Sequence, residues 1–301
     1  MPVHPDDSLD HSARRFVTGL RRRSMLRLAT SGVFERAVGL VPGARERAWR
    51  SARRYVAGAA EADAIAAVRR LEASGLAASV DLFGERTGIA GAREVARRYE
   101  ALGRVLASAT GERTWISVDL SHLAFDSGLL DAVASAIPLG RRLQVGAEEA
   151  AVADRVLDLV VGAARRGRPV EATLQANLRR APRDADRLAA EGVPVRLVKG
   201  AYVEPVADAL AWGVPTDRAY AALARRLHAA GADVALATHD HRLRAELLAE
   251  MPRARCEVLL GVAPGEAIRL AATGRDVRVY VPYGPDWFRY FMRRRAESPR
   301  A

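Results

Sequence analysis

The chain has 301 residues, half of them hydrophobic, with a formal charge of +11 and a pI of about 10.7. Its one cysteine, Cys256, excludes a disulfide framework and a cysteine-rich zinc site and fits a reducing, cytoplasmic setting; the six histidines form no metal-binding spacing. Arginines run along the whole length instead of forming one stripe with aromatics between, which argues against a nucleic-acid partner, and no apolar run approaches the ~20 residues needed to span a bilayer.

In chain order, residues 1–12 form a polar tail, and residues 13–60 read as a helical arm broken at Pro42-Gly43. Arg21-Arg22-Arg23-Ser24-Met25-Leu26 has the look of a twin-arginine export signal, but Glu35 and Arg36 interrupt the apolar stretch it would need. The basic run Arg14–Arg27 reads as a solvated helix face, or as a peripheral contact with the inner face of a membrane. Residues 61–301 read as one domain in which short β-rich runs alternate with longer Ala/Arg/Leu stretches. The predicted strands are Ala78–Phe83, Trp115–Leu120, Arg142–Val145, Val170–Gln175, Val195–Val198, Val234–Ala237, Glu257–Leu260 and Val277–Val281. Eight strands, each followed by a helix-length segment, imply a parallel (β/α)8 TIM-type barrel; no GxGxxG follows the first strand, which counts against a Rossmann fold.

In such a barrel, function collects where strands end. The unusual residues fall there: Asp81 and Glu85, Gln175, Lys199-Gly200-Ala201-Tyr202, Thr238-His239-Asp240, and Tyr280-Val281-Pro282-Tyr283-Gly284. Lys199 is the single lysine among 47 basic residues, in a chain that otherwise uses guanidinium wherever a cation is needed. Arg196, inside an apolar strand, needs a carboxylate or an acceptor-rich ligand. Arg, Lys and backbone amides at one strand end suit a polyanionic cofactor. Thr238 and His239 fit either phosphate or ribityl contacts or local capping of the next helix. Near the C-terminus, Asp286–Glu297 is an amphipathic aromatic helix. Its Arg293 and Arg294 either hold a small carboxylate or form a solvated basic helix end.

Taken in order, Arg54-Tyr55-Val56-Ala57-Gly58, Asp81-Leu82-Phe83-Gly84-Glu85, Arg196-Leu197-Val198-Lys199-Gly200-Ala201-Tyr202, Ala237-Thr238-His239-Asp240, Tyr280-Val281-Pro282-Tyr283-Gly284, Arg293-Arg294 and Glu297 resemble the FAD-dependent proline dehydrogenases over roughly residues 50–297. The resemblance implies FAD at the C-terminal face of the barrel and a last helix above its mouth. It implies oxidation of L-proline to 1-pyrroline-5-carboxylate, with hydride passing to the flavin and electrons onward to a quinone-type acceptor. Arg196 resembles the arginine facing the flavin N5. Ala147, Gln175, Lys199, Gly200, Ala201, Thr238, His239 and Glu297 resemble cofactor-binding positions. Tyr202, Leu259 and Tyr280 resemble walls of the substrate pocket, Arg293 and Arg294 its carboxylate clamp, and Glu85 the gate partner of Arg293.

Two positions depart from the family pattern. Asp119 stands where the second strand usually carries a lysine for the substrate carboxylate, and Gly146 stands where the third usually carries an aspartate. A carboxylate at 119 would repel the substrate carboxylate by about 1–4 kcal/mol, depending on the local dielectric. The alternatives this opens are another cyclic or secondary amino acid as substrate, a flavin-binding homologue with little activity, or a rearrangement in which Asp119 supplies the missing acid and Glu148 reaches in beside it.

Overall fold

The computed structural model describes residues 40–84, 87–200 and 202–297. Eight parallel strands close into a barrel in sequence order: β1 (Ala77–Leu82), β2 (Thr114–Val118), β3 (Leu143–Val145), β4 (Val170–Gln175), β5 (Val195–Val198), β6 (Val234–Ala237), β7 (Arg255–Leu259) and β8 (Val277–Tyr283). Closure is made by β8 lying parallel to β1, with Ala77 opposite Arg278 and Leu82 opposite Tyr283. Two helices precede the barrel, α1 (Ala44–Ala52) and α2 (Glu61–Ala73). Between successive strands run α3 (Ile89–Ala109), α4 (Ser127–Ser135), α5 (Ala153–Arg165), α6 (Ala181–Ala190), α7 (Val214–Ala229), α8 (His241–Glu250) and α9 (Pro264–Ala272), and α10 (Trp287–Glu297) follows β8. The helices bury small and aliphatic side chains against the outer faces of the strands, which form one continuous hydrophobic layer.

The predicted strands are present, with differences at their ends. β8 runs two residues past its predicted end because Pro282 lacks only an N–H, while its carbonyl accepts the Ala57 N–H at 2.9 Å. β7 starts two residues early at Arg255, whose buried guanidinium is paired with Glu171 inside the barrel. β2 stops at Val118, and Asp119 leads into a 3-10 turn at Leu120–Leu123.

The N-terminal arm and the last helix form a second core above the barrel mouth. Trp49 of α1 meets Trp287 edge-on at 4.8 Å between ring centres, and Phe83, past the end of β1, meets Tyr290 at 5.3 Å. Ala52, Tyr55, Val56, Phe288 and Phe291 complete the cluster. Gly284 donates to the Gly58 carbonyl at 3.0 Å, and the Arg54 side chain donates to the Gly261 carbonyl at 2.8 Å. The arm thus fixes the height and angle of α10, and with them Arg293 and Arg294.

Candidate active site

Strand pleat places every second side chain inside the barrel. Toward the N-terminal end the interior is filled by charge. Gln144 Nε2 donates to Glu171 at 2.7 Å and to Glu257 at 2.8 Å, Glu171 is paired with Arg255, and the Arg278 guanidinium lies 3.3 Å over the Trp115 ring. A lone charge there would be costly, and a connected network offsets that cost. Burial together with the neighbouring Glu171 raises the Glu257 carboxyl above its ordinary value, although Arg196 and Arg278 draw it down.

Above this floor opens a cavity of about 540 Å3, within the range of small-molecule and cofactor sites. Arg196 from β5 stands at its base. Its Nε donates to Thr173 Oγ1 at 3.0 Å, its Nη1 lies 3.9 Å from Glu257, and its guanidinium lies 6.0 Å from the Tyr280 ring. Arg196 therefore meets both a carboxylate and the cavity, the two fates its strand position allowed. Tyr202, Leu259 and Tyr280 line the same cavity, as do Arg293 and Arg294 from α10. The Arg293 guanidinium lies 5.5 Å from the Tyr202 ring and that of Arg294 lies 5.0 Å from the Tyr290 ring.

Tyr280 is oriented from behind. Its hydroxyl donates to one oxygen of the buried Asp81 carboxylate, while the Tyr99 hydroxyl donates to the other at 2.7 Å. Burial pushes the Asp81 carboxyl up to about 6, against the opposing pull of the two hydroxyls and Arg196.

Lys199 also lines the cavity, and its ammonium is held by Asp217 of α7 at 2.6 Å and by Asp240 at 2.9 Å. Partial burial works against its charge, yet the two carboxylates raise the ammonium above its ordinary value. Asp240 also caps α8 by accepting the Leu243 N–H at 3.1 Å. The compact ammonium thus joins β5, α7 and the start of α8 at the cavity edge. Gly200, at φ +148, is required for two reasons. Its backbone is one that L side chains rarely adopt, and a Cβ there would fall 2.3 Å from Asn177 Oδ1.

Thr238 and His239 both line the cavity. The Thr238 hydroxyl accepts the Asp240 N–H at 3.1 Å, so the local capping role is present. His239 Nε2 accepts the Leu259 N–H at 3.1 Å, and burial, helped by Arg244 and Arg294, lowers the imidazole to about 4. A neutral ring accepting at Nε2 carries its proton on Nδ1. That Nδ1 is buried with no hydrogen-bond partner among the described residues. An orphaned donor in a cavity wall fits an acceptor-rich ligand such as a flavin nucleotide.

Other expected positions behave differently. Ala147 lines the cavity, but Gln175 does not; its side-chain amide donates to the Glu148 carbonyl at 2.8 Å beside a small void behind β4. Glu148 does not reach the cavity either, and its carboxylate accepts the Ser121 N–H at 2.8 Å. Glu85, Ala201 and the Glu297 side chain lie outside the described residues.

The two departures prove to be neighbours. Asp119 and Gly146 both line the cavity, and a Cβ at 146 would fall 1.7 Å from Asp119 Oδ1. The φ of Gly146 lies outside the left-handed region, so its glycine is required for space and not for backbone conformation. The carboxylate from β2 occupies the volume that a side chain on β3 would take.

The motifs did not point to several cavity residues. Thr173 and Glu257 could have been found from strand alternation, as they lie two residues from Glu171 and Leu259 on their strands. Trp212 and Tyr290 come from a loop and α10, and no local pattern marks them; Tyr55, from the arm, lies in the Arg54–Gly58 motif but carried no assigned role.

The chain is similar to known proteins over most of its length. The proline dehydrogenase family model matches residues 64–299. Proline dehydrogenase 1 of Bacillus subtilis is 32% identical over 262 residues, covering 82% of this chain and 87% of its own. Proline dehydrogenase of Deinococcus radiodurans is 33% identical over 282 residues, covering 85% and 89%. Among solved structures, proline utilization A from Bdellovibrio bacteriovorus inactivated by N-propargylglycine superposes with a TM-score of 0.75 at 20% identity, a likeness of fold, over 94% of this chain. The chain spans 36% of that larger protein. On the family match and the identity to relatives covered over 87% and 89% of their own length, the chain belongs to the proline dehydrogenase family.

Proposed function

We propose that this protein is an FAD-dependent proline dehydrogenase that oxidises L-proline to 1-pyrroline-5-carboxylate and passes the electrons to a quinone-type acceptor. The observation that carries the reading is one cavity shared by Arg196 of β5 and by Arg293 and Arg294 on the helix above it. When bound, FAD supplies the hydride acceptor. Arg196, Lys199 with Gly200, His239, Thr238 and Ala147 are the described residues that would hold it, with Ala201 and Glu297 completing the set by sequence. Gln175 would act from behind β4 by fixing the loop at Glu148.

The remaining residues orient the substrate and keep water out. Arg293 and Arg294 bind the carboxylate and set the ring in place, the kind of positioning that lowers the entropic part of a barrier. Tyr280, locked by Asp81, and Tyr202, whose hydroxyl donates to the Ala147 carbonyl at 2.9 Å, form walls against which a small saturated ring packs. Leu259 adds an apolar surface. α10 covers the mouth and excludes water, with Glu85 as the gate partner of Arg293.

No helix among the described residues is long and apolar enough to cross a membrane. A membrane quinone would be met through the basic run Arg14–Arg27, which lies outside the described residues. Steady-state assays of the purified, flavin-loaded protein with proline, hydroxyproline and pipecolate test the assignment. Proline should give the highest kcat/KM, and a proline rate at background beside a high rate for another ring would transfer the assignment to that substrate.

A further inference from the structure

We infer that Glu257 is a positioning residue for the flavin: it holds the Arg196 guanidinium from behind, offsets part of its charge, and so sets how readily the bound flavin accepts hydride. The inference deepens the proposed function and rests on it for FAD and for Arg196 beside it. Glu257 joins the charged floor of the barrel to the cavity above, which it also lines. On β7 it stands opposite Ala237 of β6, as Arg196 of β5 stands opposite Ala235. Partners in register point to the same face of a sheet, so β6 places only methyl groups between the two charged side chains. They face each other across it at 3.9 Å, both largely buried.

Arg196 has a second tether on its other side. Its Nε donates to Thr173 Oγ1 at 3.0 Å, and the Thr173 hydroxyl spends its own proton on the Val145 carbonyl at 2.6 Å, which leaves the oxygen to accept. Glu257 is fixed in turn. Its Oε1 accepts from Gln144 of β3 at 2.8 Å and lies 3.8 Å from Arg278 of β8. Gln144 also donates to Glu171 of β4, which is paired with Arg255 of β7. The carboxylate behind Arg196 is therefore held by a network that reaches four strands.

Hydride transfer delivers negative charge to the flavin, so a buried guanidinium in its cavity favours reduction. A carboxylate behind that guanidinium takes part of this effect back, because charges in a site closed to water are poorly screened. The groups facing Glu257 are Arg196, Arg278, Arg255 and Glu171. With Glu257 they make three guanidiniums against two carboxylates, and removing its charge leaves three against one.

The test measures the midpoint potential of FAD in the holoenzyme, by dithionite reduction in equilibrium with a dye of known potential, so that turnover of proline plays no part. Glu257→Gln keeps the shape and an oxygen to accept from Gln144. It should shift the equilibrium toward reduced flavin by about tenfold or more, a rise of about 30 mV for a two-electron couple. Glu257→Asp keeps the charge but draws it back by one methylene; it should raise the potential by less, and it serves if the first variant does not fold. A potential unchanged or lowered in Glu257→Gln, or in Glu257→Asp where that variant alone binds FAD, overturns the role of Glu257 and leaves the proposed function standing. Loss of FAD from both variants also overturns it, since the residue would then be structural only. A wild type that takes up no FAD overturns the proposed function, and this inference with it.

Discussion

Replacing Asp81 by Asn isolates the buried group that orients Tyr280. The carboxyl is 2% exposed and accepts from both Tyr99 and Tyr280, and burial lifts it from its ordinary 3.8 to about 6. The folded protein therefore binds this proton more tightly than the unfolded chain does. The stability it contributes is complete below about pH 4 and is lost as the pH rises through 6, a change of about 3 kcal/mol by linkage. Asparagine keeps the shape, one oxygen still accepts a hydroxyl, and the other tyrosine hydroxyl can turn to accept from the amide. Unfolding in urea, followed at several pH values from about 4 to 7, gives the difference in stability between wild type and D81N, in which the other titrating groups cancel. That difference should move by about 3 kcal/mol against the wild type as the pH rises. A difference that stays constant, or moves in the wild type's favour, would refute the reasoning, because Asp81 would then not carry a desolvated charge.

Four further outcomes are expected. Trp287→Ala removes the ring that packs on Trp49 and Phe288, so urea unfolding should show a loss of about 3–5 kcal/mol, with a raised KM for proline because α10 carries the proposed clamp. Arg294→Ala should raise the KM for proline by about tenfold or more through loss of a charge-assisted contact with the carboxylate, as read in steady-state kinetics. Lys199→Met leaves Asp217 and Asp240 without their shared cation; as all three are partly exposed, the cost should be about 1–2 kcal/mol in thermal unfolding. The raised ammonium contributes below its ordinary 10.5, and the lowered Asp240 carboxyl contributes above its ordinary 3.8. The difference from the variant should therefore fade toward both extremes of pH. The Cys256 thiol is buried and pushed up to about 11, so a thiol reagent should label it at the rate of unfolding and no faster.

The barrel was legible because its strands are short apolar runs separated by helix-length segments, a pattern that needs no long-range information. The strand ends were less so. Arg255 does not read as a strand residue until Glu171, 84 positions away, supplies its partner. The site was legible where single residues break a pattern, as Arg196 and Lys199 do; Arg293-Arg294 read equally as a solvated helix end until the family resemblance singled them out. Contacts made across the sequence were hidden. Nothing near Tyr280 announces that Asp81, 199 residues earlier, holds its hydroxyl, or that Lys199 is held by Asp217 and Asp240. The relation between Asp119 and Gly146 was visible only as two departures from a family pattern; their contact is a fact of the barrel, in which adjacent strands bring positions 27 apart to one wall.

The central claim is that this cavity holds a flavin that proline reduces. Anaerobic titration of the flavin-loaded protein with L-proline, followed by its visible absorbance, tests that claim most directly. The account predicts that the oxidised flavin band bleaches as proline is added and returns when a quinone is admitted. A protein that binds flavin and keeps its band unchanged at saturating proline would contradict it.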